Sequence, residues 1–386
     1  MKTKLKIAVL VDVSRAYDRD ILLGATNFNK LHNKFLFFFY SPKYLGKENQ
    51  EMLVERIKAW NPDGILTREI EGVQSLLCLN IPLIIFPHTK LYRDHINVWG
   101  DNKEIGEMAA RHFVAKGYKN FAFLGFKDFQ WSLERQAGYT DVVTEVGGNV
   151  NTFNYDHSQL LWEHLSARLK KWLETLVKPC AIFTATDELN IHLLEAAKEL
   201  GAKIPDDFSI LGVDNDLMIC EMTSPTLSSI DQNAQNAGFL AAESLCKWIE
   251  SGERPSGDII FTNGTIITRN STNALAIDDD QVRIALHYIA NAAPSEDISV
   301  EDVVKATTVS RRILEKRFQQ VIKSSILEEI KKVRIERIKF LLEHSDLSVQ
   351  QVAYELDFRN FENITRYFKQ FTGLTPLEYR NKCKLT

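Results

Sequence analysis

The stretch from Ser299 to Arg380 constrains the fold most, because it spells one short motif twice with a long helix between the copies. In VQQVAYELDFRNFENITRYFKQF, Val349, Val352, Ala353 and Leu356 form one apolar stripe at helical spacing, and Phe361, Ile364, Phe368 and Phe371 form a second. Only Asp357, Phe358, Arg359 and Asn360 separate the stripes, a connection short enough to force a sharp corner between two helices. The earlier copy is VEDVVKATTVSRRILEKRFQQVI. Val300, Val303 and Val304 mark its first helix, Thr307 to Val309 its corner, and Leu314, Phe318 and Ile322 the buried face of its second. Ser310 is placed to cap that second helix with its hydroxyl.

A corner of this kind lets the second helix project into a DNA groove, so its outward face decides what it can bind. The first copy turns out Arg311, Arg312, Glu315, Lys316 and Gln319; the second turns out Arg359, Glu362, Asn363, Arg366 and Lys369. Cations among Asn, Gln and Glu are the side chains that meet phosphates and base edges. For a single helix, a solvated charged face on an ordinary bundle explains the pattern equally well; two in tandem with matching corners favour DNA. Charge agrees. Residues 303–386 hold 17 Lys and Arg against 10 Asp and Glu, so a net charge of −4 for the whole chain conceals +7 on this segment and −11 on the remainder.

With RIERIKFLL in the linking helix and TPLEYR (Thr375 to Arg380) at the close, the region from Val300 to Arg380 resembles the DNA-binding domain of AraC-family transcription regulators. The resemblance implies seven helices and two helix-turn-helix units about one DNA turn apart. Three positions depart from the family pattern. Asp357 stands where glycine is usual at the second corner, Lys323 where glycine usually follows the first recognition helix, and Ile338 where the linking helix usually carries a smaller residue. Asp tolerates left-handed backbone better than most residues.

A chain of 386 residues has room for two or three domains. Its five cysteines form no CxxC pair, which argues against a disulfide framework or a zinc site and for a reducing cytoplasm. Lysines precede the first apolar run, but that run spans only Ile7 to Val11, so it reads as a buried strand and not as a signal segment. No apolar run approaches the roughly 20 residues of a membrane helix, which predicts a cytoplasmic protein with no membrane partner.

Through the first 270 residues, short apolar runs alternate with amphipathic stretches. Strands are expected at Ile7–Val11, Phe35–Tyr40, Gly64–Thr67, Pro82–Phe86, Asn97–Trp99, Asn120–Leu124, Ala181–Thr184 and Ser209–Val213. Helices are expected over residues 20–31, 51–60, 103–116, 134–145, 160–176, 188–201 and 234–251. Such alternation argues for α/β architecture with parallel sheets covered on both faces, and the length suits two lobes. Gly117, Gly201 and Gly252 sit where helices stop. In open sheets of this type the loops at the strand carboxyl ends carry ligands. The polar residues there are Asp12, Tyr17 and Asp18, then His88, Asp101 and Asn102, Asp187, and Asp214 to Asp216; Arg135 opens a helix that reaches the same side.

GDNKEIGEMAARHFVAKGYKNFAFLG, ERQAGY, ATDELNIHLLEAAKELGAKIPDDFSILGVDND, SPTLSSI and ITRNST together resemble the effector-binding core of LacI-type repressors, itself similar to periplasmic sugar-binding proteins. The resemblance runs from about Val98 to Thr272. It implies two doubly wound lobes, three crossovers near Gly117–Lys119, Ser228–Ile230 and Phe261, and a sugar cleft at the hinge. Asp101, Arg135, Asp187 and Asp214 fall at positions that bind effector in that family. No helix-turn-helix precedes the first strand, so DNA binding sits at the other end of the chain. Joining a LacI-like sensor to an AraC-like module behind an AYDRDILLG element resembles activators of xylose operons, which implies a pentose ligand and adds Asp18 to the cleft candidates. Related sensors bind other sugars and purines.

A sugar offers several hydroxyls that donate and accept, so its site needs carboxylates, a guanidinium and flat apolar faces. Asp18, Asp101, Asp187, Asp214 and Arg135 supply the first two, and Trp131, Phe86 and Tyr155 the third. Any one Asp at a strand end can equally be a helix cap, Asp101 and Asp187 above all. The nine histidines lack a metal-ligand spacing, and neither a phosphate loop nor a GxSxG turn is present, so no metal, cofactor or catalytic residue is expected. The expectation is a two-lobed doubly wound sensor over residues 1–274, a linker at 275–281 and an all-α DNA-binding domain at 282–386. Its expected partners are double-stranded operator DNA, a small sugar, RNA polymerase and a second copy of the chain. A transport-linked sugar-binding protein and a sugar-modifying enzyme remain as rival readings.

Overall fold

The computed structural model describes residues 4–40, 50–70, 73–156, 162–261, 264–273, 279–293, 298–345, 347–356, 358 and 361–384. They form two compact units, Met1–Asn273 and Ala274–Thr386. Most of the expected linker, and Asp357, Arg359 and Asn360 of the second corner, lie outside the described residues. No helix among those described is long and apolar enough to cross a membrane.

The first unit opens with β1 (Leu5–Leu10), α1 (Ala16–His32), β2 (Phe35–Tyr40), α2 (Gln50–Trp60), β3 (Gly64–Arg68), α3 (Val73–Leu77), β4 (Leu83–Phe86) and β5 (Ile96–Gly100). It continues with α4 (Asn102–Ala115), β6 (Asn120–Phe126), α5 (Gln130–Glu145), β7 (Val150–Tyr155), α6 (Trp162–Glu174), β8 (Cys180–Thr184), α7 (Asp187–Glu199), β9 (Phe208–Val213), α8 (Leu217–Met222) and β10 (Ser228–Asp231). It closes with α9 (Ala234–Ser251), β11 (Ile259–Phe261) and β12 (Thr265–Ile267). The strands form two sheets, ordered β11-β5-β4-β3-β1-β2 and β12-β10-β9-β8-β6-β7. All pairings are parallel except β12 against β10. Along β1, Ile7 and Val9 face the layer containing Ala237 and Ala241 of α9, while Ala8 and Leu10 face the layer containing Ile57 of α2. Helices on both faces are why these strands read as continuous apolar runs.

The chain passes between the lobes three times. It leaves the first lobe at Gly100–Asp101, because α4 already packs on α5 and β8 of the second. The expected site at Gly117–Lys119 is thus one helix too late. Gly117, at φ 84°, only ends α4. The second pass follows β10 into α9, and the third lies between β11 and β12.

Among the described residues, each lobe has one pair of helices in which glycines bring backbone against backbone. In the α1–α9 pair, a Cβ on Gly24 would collide with the carbonyl of Gln235, and one on Gly238 with that of Ile21. In the α4–α5 pair, Gly106 faces the carbonyl of Arg135 and Gly138 that of Lys103 in the same way.

The second unit is seven helices among the described residues: α10 (Asp280–Ala292), α11 (Val300–Lys305), α12 (Arg311–Val321), α13 (Ile326–His344), α14 (Val349–Glu355), α15 (Phe361–Thr372) and α16 (Pro376–Lys384). They build two small cores that share only α13. Ile326 and Ile330 belong to the core with Val303, Leu314 and Phe318; Ile335, Ile338 and Leu342 belong to the core with Val352, Ile364 and Phe368. Ile338 is fully buried, so its extra bulk is absorbed in the second core. Ser299, Ser325 and Ser348 start α11, α13 and α14 with capping boxes to Asp302, Glu328 and Gln351. Ser310 holds the cap position of α12, but its hydroxyl makes no cap bond, contrary to the expectation from sequence. The residue three positions on is Ile313, which cannot return the bond that Asp, Glu and Gln supply in the other three helices.

Candidate functional site

A cavity of about 150 Å³ opens between the two lobes at the crossovers. Trp99, Gly100 and Asn102 of the first pass and Gln232 of the second line it, so any movement of the lobes changes its shape.

Arg135 is the centre of the second lobe's wall. It is 4% exposed, and a bare guanidinium there would be costly, so each of its three nitrogens donates to a protein oxygen. Nε donates to Asn102 at 3.0 Å, Nη1 to the Ala185 carbonyl at 2.5 Å and Nη2 to Gln232 at 2.8 Å, and the guanidinium lies 4.8 Å from the Trp131 ring centre. Asp214 lines the same wall and accepts from Thr186 at 3.0 Å and from Gln232. Burial pushes its carboxyl up to about 7, against the opposing pull of Arg135. Its backbone sits at φ 103° and that of Asn215 at φ 49°, so the loop presents Asp214 in a left-handed turn that Asp and Asn tolerate.

The remaining acidic candidates do not line the cavity. Asp187 is fully buried and accepts from the Asp216 amide at 2.9 Å and the Ser229 hydroxyl at 2.8 Å, tying the start of α7 to the loop that carries Asp214. Burial, with the neighbouring Asp214 charge, raises its carboxyl well above the usual range. Asp101 caps α4 by accepting from the Glu104 amide at 2.9 Å. Asp18 is paired with Arg68 Nε at 2.8 Å, and Arg68 in turn lies 4.9 Å from the Tyr17 ring centre. Tyr17 and Arg68 line the cavity, and Asp18, which does not, holds Arg68. Burial raises the Asp18 carboxyl and Arg68 opposes that rise.

Of the flat faces expected from sequence, Trp131 lines the cavity. Phe86 is core of the first lobe, and Tyr155 packs on Phe126 at 5.2 Å outside the lining. Arg15, Arg68, Trp99, Phe126, Phe129, Thr186, Glu188 and Gln232 also line it. Only Thr186 and Glu188 carry a sequence signal, being next to Asp187; the others are brought in by the topology.

In the second unit, α12 exposes Arg312, Glu315, Lys316 and Gln319 beside Arg311. Arg311 is held by Glu301 and, at 2.9 Å, by Glu315, so that ion pair would have to open before either side chain met DNA. On α15, Glu362 and Arg366 are exposed and Asn363 is half-buried. Arg359 lies outside the described residues. Arg334 of α13 is 6% exposed and donates to the Leu356 carbonyl at 2.8 Å, which fixes the end of α14 against the linking helix.

Comparison with known proteins follows the same division. Residues 110–272 match the periplasmic binding protein-like domain, and residues 303–382 match a helix-turn-helix domain. The xylose operon regulatory protein of Escherichia coli strain K12 is 26% identical over 388 residues, covering 97% of each chain. That of Haemophilus influenzae is 26% identical over 393 residues, covering 98% of each. The solved structure of the xylose-binding transcription activator xylR superposes with a TM-score of 0.74 at 25% identity, covering 99% of both chains. A LacI family transcriptional regulator from Enterococcus faecalis V583 with bound ribose shares the fold of the sensor, with a TM-score of 0.57 at 23% identity over 70% of this chain and 99% of that one. The chain therefore joins a periplasmic-binding-protein-like domain to an AraC-type helix-turn-helix domain, and it is a DNA-binding transcription regulator of that two-part kind.

Proposed function

We propose that the chain is a cytoplasmic, sugar-responsive activator of pentose utilisation genes, with xylose the first ligand to test. The observation that carries this reading is the cavity at the crossovers. It combines a carboxylate, a guanidinium with N–H donors beyond its three protein bonds, and indole faces, the groups that meet the hydroxyls and the flat side of a sugar ring. Its volume of about 150 Å³ is roughly ten times what a single water needs, room for a small ligand such as one monosaccharide. The relatives spanning nearly the whole chain are named for the xylose operon, which favours a pentose.

In this reading the sensor comprises residues 1–274, the linker 275–281 and the DNA-binding domain 282–386. Asp214 and Arg135 meet the ligand, Asp18, Asp101 and Asp187 position the groups that do, and the chain has no catalytic role. Two copies bind paired half-sites on operator duplex, with RNA polymerase as the further partner. Arg312, Lys316, Gln319, Glu362, Asn363 and Arg366 face the DNA.

A thermal-shift screen against a panel of monosaccharides tests the ligand, since anything that binds the folded state raises the midpoint by mass action. A shift with a pentose and none with unrelated metabolites is expected. A flat response to every sugar would remove the sensor half of the proposal, and a duplex affinity indifferent to salt would remove the other half.

A further inference from the structure

The wall of the cleft carries contacts between the lobes that the ligand reading does not use. After β4, the segment Pro87–Thr89 of the first lobe reaches the turn before α5 in the second. The His88 ring centre lies 4.6 Å from that of Phe129 and 6.2 Å from that of Trp131, and the Gln130 amide donates to the Thr89 carbonyl at 3.3 Å. Glu69, which does not line the cavity, holds this segment from inside the first lobe. Its carboxylate accepts from the His88 amide at 2.6 Å, the Thr89 amide at 2.6 Å and the Thr89 hydroxyl at 2.5 Å. Three donors from His88 and Thr89, on a half-buried carboxylate that the Tyr92 side chain also meets, fix these two residues in one register.

We infer that Pro87–Thr89 is a latch that closes the cleft against Phe129–Trp131, that Glu69 is its positioning residue, and that the closed latch limits the ligand to a single sugar ring. The inference deepens the monosaccharide reading and rests on it for the identity of the ligand, but not for the latch itself. Closure places a tilted aromatic contact and a backbone hydrogen bond between the lobes at the cavity wall, where they would block the next residue of an oligosaccharide. Contacts made only in the closed form act on release more than on capture.

Two measurements on the full chain test it. The first replaces Thr89→Cys and Gln130→Cys in a Cys78→Ser background and follows crosslinking under mild oxidation without ligand. Rapid crosslinking is expected, slowed when Glu69→Gln is added; no crosslink, or a rate unchanged by Glu69→Gln, overturns the latch. The second measures D-xylose release and binding of its β-1,4-linked disaccharide. Glu69→Gln is expected to speed release about tenfold and to admit the disaccharide, with Thr89→Val moving both the same way more weakly. Thr89→Val removes one donor only, so it keeps the test open if Glu69→Gln fails to fold. Unchanged release and continued exclusion of the disaccharide in both variants would overturn the assignment. If the unaltered chain does not bind D-xylose, the ligand reading fails, and the crosslinking result decides the latch alone.

Discussion

Arg135 donates through Nη2 to Oε1 of Gln232 at 2.8 Å, joining a helix of the second lobe to the pass that returns the chain to the first. Through Nε it also holds Asn102 on the outgoing pass, so one side chain grips two of the three connections between the lobes. Replacing it should therefore cost more than a ligand contact. Arg135→Met leaves the Ala185 carbonyl, Gln232 and Asn102 without a buried donor, and should destabilise the sensor by about 2–4 kcal/mol in urea titration. Binding of the same variant to random duplex at low salt should be unchanged.

If Asp214 meets the ligand as proposed, ligand binding should be sensitive to pH near neutrality. Its carboxyl titrates at about 7, and a sugar hydroxyl donating to it favours the ionised form. Ligand affinity should rise as pH increases through about 7 and level off above, with binding accompanied by proton release that calorimetry in two buffers detects. The opposite sign holds for stability of the empty sensor. A pKa raised on folding gives a contribution that is full below the unfolded value and is lost as pH rises through about 7. Asp214→Asn should flatten both profiles.

On the DNA side, exposed cations with no ion pair among the described residues should matter more than paired ones. Arg312→Ala and Arg366→Ala are each expected to lower the slope of log affinity against log salt by about 1, with sugar binding intact. Arg311→Ala should act more weakly, because Glu301 and Glu315 already hold its guanidinium. Equal losses for all three, measured by fluorescence anisotropy across a salt series, would show that these ion pairs open on DNA.

Lys323 sits just past α12 with φ 60°, the conformation in which a side chain is a burden. Lys323→Gly should raise the stability of the second unit by about 1 kcal/mol, read from the midpoint of thermal unfolding. A loss of stability instead would mean that the lysine makes contacts worth more than its backbone strain.

The long elements were legible because burial on both faces writes itself into composition. β1, β3, β4, β6, β8 and β9 are runs of apolar residues, and the Leu314, Phe318 and Ile364, Phe368 stripes place the recognition helices. The strands β7, β10, β11 and β12 were not expected. VNTFNY mixes polar and apolar residues and none of it is fully buried, SSID is short, and the three residues of IIF and of TII give no period to read. The cleft was legible only in part for a different reason. Position after a strand located Asp214, but it could not tell a lining carboxylate from the cap made by Asp101 or the buried anchor made by Asp187. Arg68, Trp99 and Gln232 meet across separations that only the sheet order closes.

The glycines at the α1–α9 and α4–α5 crossings bear on how such a sensor can move. Where main chain rests on main chain there is no layer of side chains to re-pack, so the two helices of each crossing are held at a fixed spacing. Motion between the lobes is then expected at the slender connections beside the cleft, each jaw turning about them as a lever.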